Sequence, residues 1–575
     1  MYERLVKIND KWTEDTLRQQ VADTNSRFYG GIADPISGVA MASHVCSAAV
    51  LPQWIPALLN PDSSYYRNSE LLTATDRVAA FMLNRQHPDG TISPGYTNYN
   101  SPPDTAFVIG IMAPVYQLLK KADWEPVRPV AEKLKLFLER SVPAMLTGGC
   151  HTPNHRWVIT AALGFLYEIF ALPELAARAD EWLVEGMDIT ADGEWTERSN
   201  GIYNAVSDIA LIHTARLLNR PELFEYVRRN LRMMVYLIHP SGEVVTEYSG
   251  RQDFGQKSDM AYYFLSYSLM AALDRDPFFA AMSDYAGGCI TENTVHHNAM
   301  LGYLLFPEIL LTDLERVPLP EQYNKIINGE HPIAEHLNRV HAVGHHSKIQ
   351  HSSMHFAFGS PIVRIRDKED SVTLMTRTPS FFSLRHGKAR LLGVKLATTF
   401  LPGVVDFNEF HIVGGVYKLA RTQEKGYNGP VPRQLLPESV TRETVSPWYL
   451  LPHQHRPATH VQEHRLQVEL SQHANEWMIH VKSDEREDVF AQLTFVLGEE
   501  GTVVGDGLLE AGGDRYFHKG GSFTYNSGTD AILIEGGAYD HRLPMIREDQ
   551  HPSGCKYVHV NLLTPFDQTF RIRLL

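Results

Sequence analysis

Two stretches of this chain bring residues that can move protons and hold anions to the start of an apolar segment. Gly149-Cys150-His151-Thr152-Pro153-Asn154-His155-Arg156-Trp157 runs into VITAALGFLYEIF. Asp192-Gly193-Glu194-Trp195-Thr196-Glu197-Arg198-Ser199-Asn200-Gly201-Ile202-Tyr203-Asn204 runs into AVSDIALIHTA. An Asn amide and an imidazole at a helix start are donors set beside the positive end of the helix dipole. Tyr203 carries a phenol that can take or give a proton. A later loop, EYSGRQDF, adds Arg251, whose guanidinium matches a carboxylate through two parallel hydrogen bonds. Such a set suits a carboxylate-bearing substrate that must lose a proton. Taken singly, each residue has a structural explanation: Asn154 as a helix cap, His155 and Tyr203 as satisfied core residues, Arg251 and Asp253 as a loop ion pair. The chemical reading rests on their falling in separate loops of one architecture.

Those loops need helices to hold them, and the surrounding pattern supplies them. Paired marks at Gly30-Gly31, Asp89-Gly90, Gly148-Gly149, Asp192-Gly193, Ser241-Gly242 and Gly287-Gly288 each precede an apolar segment, at spacings of 59, 59, 44, 49 and 46 residues. A period of this size signals a helical repeat. Between the marks lie more charged segments: RNSELLTATDRVAAFMLNR, RPVAEKLKLFLERSV, LPELAARADEWLVEGM and RPELFEYVRRNLRMMVYLI. Their apolar residues recur at three- and four-residue steps, as in amphipathic outer helices. Pro often stands at their starts, where the missing N–H is harmless. The inner segments are apolar nearly all round and should be buried on several sides. Inner and outer helices in alternation predict an N-terminal (α/α) toroid, an incomplete barrel of about six helix pairs, with the marked loops gathered at one end. A stack of helix pairs without closure is the alternative. Residues 1–30 read as a leading helix with apolar positions at Leu5, Ile8, Trp12, Leu17 and Val21.

The texture changes near residue 320, where VPLPEQYNKIINGEHPIAEHLNRVHAVGHH reads as a linker with a short helical piece. Beyond it, period-two alternation runs through SMHFAFGSPIVRIR, SVTLMTRTPSFFSLRH, VKLATTF, HRLQVELS, EWMIHVKS, VFAQLTFVLG, AILIEGG and YVHVNLLT, separated by turns such as VGDG and HPSG. Many short strands without intervening helices predict an antiparallel β-sandwich. The expected organisation is a multidomain α+β chain: toroid 1–320, linker 321–350, β-sandwich 351–575.

Composition narrows the function classes. At 575 residues the chain is long enough for two or more domains, and 43% apolar with 21% charged residues is ordinary for a soluble globular protein. A net charge of -14 argues against nucleic-acid or anionic-membrane partners, which need a basic face. Cys46, Cys150, Cys289 and Cys555 lie far apart with no CxxC spacing, which suggests buried thiols and not a disulfide frame. MYERLVKINDKWTED has no apolar core of a signal peptide, and no run is long enough for a membrane span. A cytoplasmic protein is expected, or a periplasmic or secreted one if an export signal has been removed. A homo-oligomer is left open.

A toroid followed by antiparallel sheets resembles the polysaccharide lyases of the heparinase II/III, alginate-oligomer and chondroitin/hyaluronate type. Asn154-His155 ahead of Arg156-Trp157, and Tyr203 about fifty residues later, resemble the Asn/His and Tyr positions of those enzymes. A narrower resemblance is to lyases that cut rhamnosyl-glucuronic acid linkages in plant arabinogalactan. The resemblance implies cleavage of a 4-linked uronic acid glycoside by β-elimination, leaving an unsaturated uronate, on an oligo- or polysaccharide partner. Without a visible export signal, imported oligosaccharides fit best. That chemistry needs a neutralised carboxylate, a base near C5 and an acid near the leaving oxygen. Asn154, His155 and Arg251 could meet the carboxylate, and Tyr203 could transfer the proton. A β-domain His reaches the cleft in the families resembled, which points to His411 in FNEFHIVGGVYKLARTQEKGYNG, with Tyr427 nearby as a substrate contact.

Further contacts are expected from Tyr96, Asn100 and Asp104 in a polar loop that also holds Asn98 and Tyr99. Trp195 and Tyr248 could stack on sugar faces, and Asn204 and His297 could add polar contacts at helix starts. Related lyases sometimes carry a metal in the β domain, so the resemblance leaves room for a structural zinc or calcium there. HQHRPATHVQEH is rich in His but lacks a tight ligand spacing and reads as a solvated loop, so no metal ligand is assigned there. Two rivals stay open. A toroid glycoside hydrolase would need two carboxylates about the scissile bond, with Asp104, Glu197, Asp208, Glu247 and Asp253 as material. A glycan-binding protein would keep the aromatic rim without turnover.

Overall fold

The computed structural model describes the chain apart from residues 295–297, 344–355, 437, 439–441, 444–446, 485, 548–550 and 552. It divides into two compact units, Met1–Gly359 and Ser360–Leu575.

The first unit is helical. In chain order its helices are α1 (Tyr2–Leu17), α2 (Leu51–Leu59), α3 (Ser69–Arg85), α4 (Pro102–Lys121), α5 (Arg128–Thr147), α6 (Pro153–Phe170) and α7 (Pro173–Leu183). There follow α8 (Tyr203–Leu217), α9 (Leu223–Met234), α10 (Phe264–Asp274), α11 (Pro277–Cys289), α12 (Ala299–Leu305) and α13 (Ile333–Val343). The even-numbered helices α2 to α12 form the inner ring, each touching the next, and α12 touches α2. That last contact closes the ring and decides against an open stack. The odd-numbered helices α1 to α11 lie outside it, beside their inner neighbours.

Sequence chemistry explains which helix goes where. In α6 the run from Trp157 to Leu166 is buried without interruption, as an inner helix requires, whereas α9 buries Leu223, Phe224, Val227, Leu231 and Met234 at helical spacing and leaves its charges outside. Starts are marked by caps: Asn68 accepts from Leu71 N at 2.9 Å, Ser101 from Asp104 N at 3.2 Å, and Asp276 from Phe278 N at 2.8 Å.

Two local expectations are corrected. The leading helix stops at Leu17. Val21 instead exchanges backbone hydrogen bonds with the first glycine mark, accepting from Gly30 N and donating to Gly31 O, both at 2.9 Å. Gly287-Gly288 is not a turn but the last part of α11. A side chain at Gly287 would run into Met1 and Phe264, so the glycine there serves close packing. The segment after 320 holds the expected helical piece as α13, and also a strand, β1 (Gln322–Ile327), that the sequence did not announce.

The second unit is a β-sandwich. Its strands are β2 (Ile362–Asp367), β3 (Asp370–Met375), β4 (Phe382–His386), β5 (Ala389–Thr398), β6 (Gly403–Val404), β7 (Glu409–Val413), β8 (Val416–Asn428), β9 (Ala458–His473) and β10 (Glu476–Ser483). The remainder are β11 (Phe490–Leu497), β12 (Thr502–Val504), β13 (Leu508–Gly512), β14 (Arg515–His518), β15 (Ser522–Ser527), β16 (Asp530–Glu535), β17 (Lys556–Leu563) and β18 (Asp567–Leu574). One sheet runs β2-β3-β4-β5-β11-β17-β14-β13, with β6 on β5; the other runs β12-β15-β16-β18-β10-β9-β8-β7. Pairing is antiparallel, except that β14 runs parallel to β17. Alternate residues of both sheets meet in one core, Leu384, Val394 and Phe495 against Val468, Ile479 and Phe570.

Candidate active site

Several of the loops that precede the inner helices are closed on themselves by backbone pairing. Isolated bridges pair Ile92 with Ser101, Ile189 with Trp195 and Ile238 with Val244. The last two close tight turns around glycines at positive φ, Gly193 and Gly242, while Gly90 turns the chain just before Ile92. Gly90 and Gly193 adopt φ of +85° and +108°, and a Cβ there would collide with the carbonyl oxygens of Arg140 on α5 and Arg229 on α9, outer helices that come later in the chain. The turns are thus seated on α5 and α9, and the polar residues after them are delivered to the first turns of α4, α6 and α8.

Five successive loops meet through two runs of side-chain contacts that the backbone joins at Asn154-His155. His44 Nδ1 stands 4.0 Å from Asp104 Oδ1, and its ring stacks on Phe107 with centroids 4.4 Å apart. Phe107 is edge-on to His155 at 6.1 Å, and His155 edge-on to His151 at 4.8 Å. Next to His155, Asn154 donates from Nδ2 to Glu197 Oε2 at 2.7 Å. The other oxygen of Glu197 accepts from Arg251. The Arg251 guanidinium lies 4.1 Å over the ring of Tyr203, whose hydroxyl accepts from Gln252 Nε2 at 3.1 Å. Asn154, His155, Tyr203 and Arg251 therefore come together as the sequence led us to expect. Asn154 and Glu197 form a buried floor, while His151 and Gln252 are exposed and Tyr203 and Arg251 half-buried. Asn154 Oδ1 and His155 Nδ1 are buried with no hydrogen-bond partner among the described residues.

One carboxylate ties the last two loops together. Asp253 Oδ1 accepts from Ser199 Oγ at 2.8 Å and from Ser249 Oγ, and Oδ2 accepts from Gly201 N at 2.9 Å. Each serine oxygen in turn accepts a backbone N–H: that of Tyr203 at 3.1 Å on Ser199, and that of Arg251 at 3.2 Å on Ser249. Asp253 is thus one step from the backbone of both Tyr203 and Arg251, which explains how they hold the same register. It is not the partner of Arg251 that the loop ion-pair reading supposed.

Burial sets the charge state of the floor. It pushes the Glu197 carboxyl upward, against the opposing pull of Arg251 and of the Asn154 hydrogen bond. It pushes the His155 imidazole down to about 3, with His151, Arg251 and His44 adding to the effect and Asp104 opposing it. His44 is lowered by burial too, against Asp104. His155 is therefore uncharged at neutral pH, with one N–H and one free lone pair.

Other expected contacts fall elsewhere. Trp195 and Tyr248 are each 2% exposed. Trp195 donates to Asp208 at 3.1 Å, and Arg198 lies 4.8 Å over the Tyr248 ring, so the structure packs both below the surface instead of offering a face to a sugar. Asn204 is buried and donates to Asn200 Oδ1 at 3.0 Å, a bond within the helix start. Tyr96 is exposed; Asn100 donates to Asp89 at 3.2 Å; Asp104 is buried and accepts from Ser101 Oγ at 2.5 Å and Asn98 at 2.8 Å. His297 lies outside the described residues. In the second unit, His411 pairs with Lys418 across β7 and β8, and the exposed Tyr427 is edge-on to His460 at 6.5 Å. Sequence reasoning did not single out His44, His151 or Gln252, and it weighed Glu197 only as a hydrolytic carboxylate. One polar side chain per marked loop was the signal available for His44.

A metal finds no ready donor set. Among the described residues, no group of three or more His, Cys, Asp or Glu side chains stands together to hold one. In the His-rich segment, His464 is instead bonded to Asp484 at 2.9 Å.

A closed ring of helix pairs followed by an antiparallel β-sandwich is the fold of the toroid polysaccharide lyases. Heparinase III matches over 99% of this chain and 84% of its own, with a TM-score of 0.54 and 10% identity. The Streptomyces coelicolor A3 chondroitin AC lyase, solved with chondroitin sulphate, matches over 99% and 79%, at 0.51 and 11%. A Paenibacillus xanthan lyase gives 0.55 and 8% over 99% of this chain, which spans 56% of that protein. At these identities the likeness is one of fold. No family model and no curated protein matches the sequence. Among the described residues no helix is long and apolar enough to cross a membrane.

Proposed function

We propose that this protein is a polysaccharide lyase that cleaves a 4-linked uronic acid glycoside by β-elimination. The observation that carries the proposal is the single group formed by Asn154, His155, Glu197, Tyr203 and Arg251 at the ends of consecutive toroid loops. In the reaction Tyr203, as the phenolate, takes the C5 proton, the C5–H electron pair forms the C4–C5 double bond, and the C4–O bond breaks as the same proton passes from Tyr203 to the leaving oxygen. The C5 proton is acidic only when the neighbouring carboxylate is neutralised. Asn154 and Arg251 already hold a carboxylate between them, that of Glu197, so their donors are set at the spacing such a group requires. A preorganised donor of this kind is worth roughly 3–4 kcal/mol at a developing oxyanion.

Tyr203 is the proton-transferring group. Its oxygen accepts from Gln252 at 3.1 Å, a donor that favours the phenolate form and holds the oxygen in place for the transfer. His155, uncharged, adds a donor or an acceptor without bringing a second positive charge to the floor. We assign His411 no step. The hydrolase alternative finds little free material: Asp253 is filled by three donors, Glu247 is buried on His239 at 2.9 Å, and Asp208 is fully buried.

The test is Tyr203→Phe. The variant should fold and bind oligosaccharide as the parent does, yet give no unsaturated product by ultraviolet absorbance. Near-normal turnover would remove Tyr203 from the mechanism. A product without the double bond, released from the parent protein, would replace the lyase by a hydrolase.

A further inference from the structure

We infer that the outer face of the first sheet of the β-sandwich carries a binding site for an oxyanion: the carboxylate, sulfate or phosphate group of a ligand. The inference goes beyond the lyase reading and does not depend on it, since all its residues belong to the second unit. Strand register builds the site. Lys395 on β5 stands opposite Thr494 on β11, and Thr494 stands opposite His559 on β17. Their chain neighbours Leu396, Phe495 and Val558 belong to the core, so this row faces the other way. Arg515 on β14 pairs with Tyr557, two residues from His559 on the same face, and its guanidinium lies 5.7 Å from the Tyr557 ring centroid. The Tyr557 and His559 rings are nearly parallel with centroids 6.3 Å apart, and Thr494 Oγ1 is 2.9 Å from His559 Nδ1.

These side chains and Arg547 line one narrow hollow, open on one side. Lys395 is 5% exposed, Arg515 half-buried and Arg547 exposed. Lys395, Arg515 and Arg547 thus bring three positive charges to one hollow, and none of its described lining residues is Asp or Glu. Neither arginine has an ion pair or a side-chain hydrogen bond among the described residues. The chain holds 67 acidic residues against 53 Lys and Arg, so carboxylate partners were not scarce. Like charges gathered without an acid repel one another, and an anion between them relieves the repulsion. A guanidinium meets an oxyanion through parallel N–H groups, and the hydroxyls of Thr494 and Tyr557 add neutral donors. So narrow a hollow admits one anionic head group and leaves the remainder of a larger ligand outside.

The experiment is calorimetric titration of the full chain with sodium phosphate, sodium sulfate and sodium glucuronate at constant ionic strength. Arg251→Gln serves as the background, so that the toroid site does not contribute. At least one of the three anions should bind, one per chain, with a Kd of about 5 mM or tighter. Arg515→Gln and Arg547→Gln, introduced separately, should each weaken that binding at least about threefold, with circular dichroism confirming the fold. Both side chains reach solvent, so neither substitution opens the core. Competition with a chondroitin sulfate tetrasaccharide tells the sources of the group apart. Displacement of the bound anion at a lower concentration than free sulfate or glucuronate requires assigns the site to the acid group of a glycan; displacement only at a higher one assigns it to the free ion. No binding of any of the three anions up to about 50 mM, or a loss smaller than about threefold in either arginine variant, overturns the inference.

Discussion

Asp253→Asn asks whether Tyr203 and Arg251 act as one assembly. The substitution keeps the size of the side chain and one oxygen but puts an amide NH2 where the other oxygen stood. That NH2 must face either Gly201 N–H or the two serine hydroxyls, all of which now donate to the carboxylate. One hydrogen bond to an ionised acceptor is lost, about 1.5–3 kcal/mol, and a buried donor is left facing another donor, about 1–3 kcal/mol. Because Ser199 and Ser249 receive the backbone N–H groups of Tyr203 and Arg251, the cost falls on the register between those residues. At about 1.4 kcal/mol per tenfold in rate, kcat should fall by about 100-fold or more. KM should move much less, since Asn154 and His155 stand on α6. The assay is steady-state turnover of a uronate glycan well below the unfolding temperature, with circular dichroism to confirm the fold. Ser199→Ala and Ser249→Ala should each lower kcat, and their effects should be non-additive with Asp253→Asn, because all three remove the same tie. A folded Asp253→Asn protein whose kcat stays within about threefold of the parent would refute the reasoning.

Three further predictions concern the scaffold. Burial raises the Asp208 carboxyl well above its ordinary value of 3.8, so the folded state loses stability as pH rises above 3.8, by about 1.4 kcal/mol per unit until the folded pKa is reached. Asp208→Asn, which keeps an acceptor for Trp195, should gain little at pH 4 and progressively more toward pH 7 in denaturant unfolding; a gain that ignores pH would contradict this. His213 is held down to about 3 by burial and by Arg216, so its contribution is present above the ordinary value of 6.5 and lost as pH falls from 6.5 toward 3. His213→Gln should flatten the acid side of the stability curve by about one proton's worth of slope, and an unchanged slope would sink the assignment. Gly193→Ala should lower stability by about 1–3 kcal/mol and loosen the turn before α8, read as a drop in unfolding midpoint; parity with the parent would mean the turn does not need its positive φ.

Much of this architecture is written in short-range chemistry. The glycine marks and the contrast between apolar and amphipathic segments locate α3 to α9, because each such helix buries a stripe or a whole surface that its own sequence announces. Gly287-Gly288 misled because a glycine pair reads the same whether it makes a turn or lets Met1 approach a helix. The joint placement of Asn154, His155, Tyr203 and Arg251 followed from the repeat together with the likeness of Asn154-His155 and Tyr203 to lyase positions. What the sequence hid were ties between residues far apart in the chain: Glu197 bridging Asn154 and Arg251, and Asp253 reaching back to Ser199. A carboxylate looks the same in sequence whether it will accept three donors or face a substrate. Trp195 and Tyr248 were misplaced for a related reason: an aromatic in a loop can be a sugar platform or the plug that seals the turn.

Ring closure has a consequence for synthesis. Arg4 donates from Nη1 to the carbonyl of Ile290 at 2.5 Å, and Trp12 donates to that of Glu292 at 3.0 Å. The helix α1 therefore finds these partners only after the roughly 280 residues between them have been translated, on the order of 15–60 s later at about 5–20 residues per second. Through that interval part of the apolar face of α1 has no cover from the far end of the ring. A chaperone that releases the nascent chain before residues 290–292 emerge would leave the Arg4 and Trp12 donors without these carbonyls, and slower elongation would lengthen the time over which the chain can aggregate.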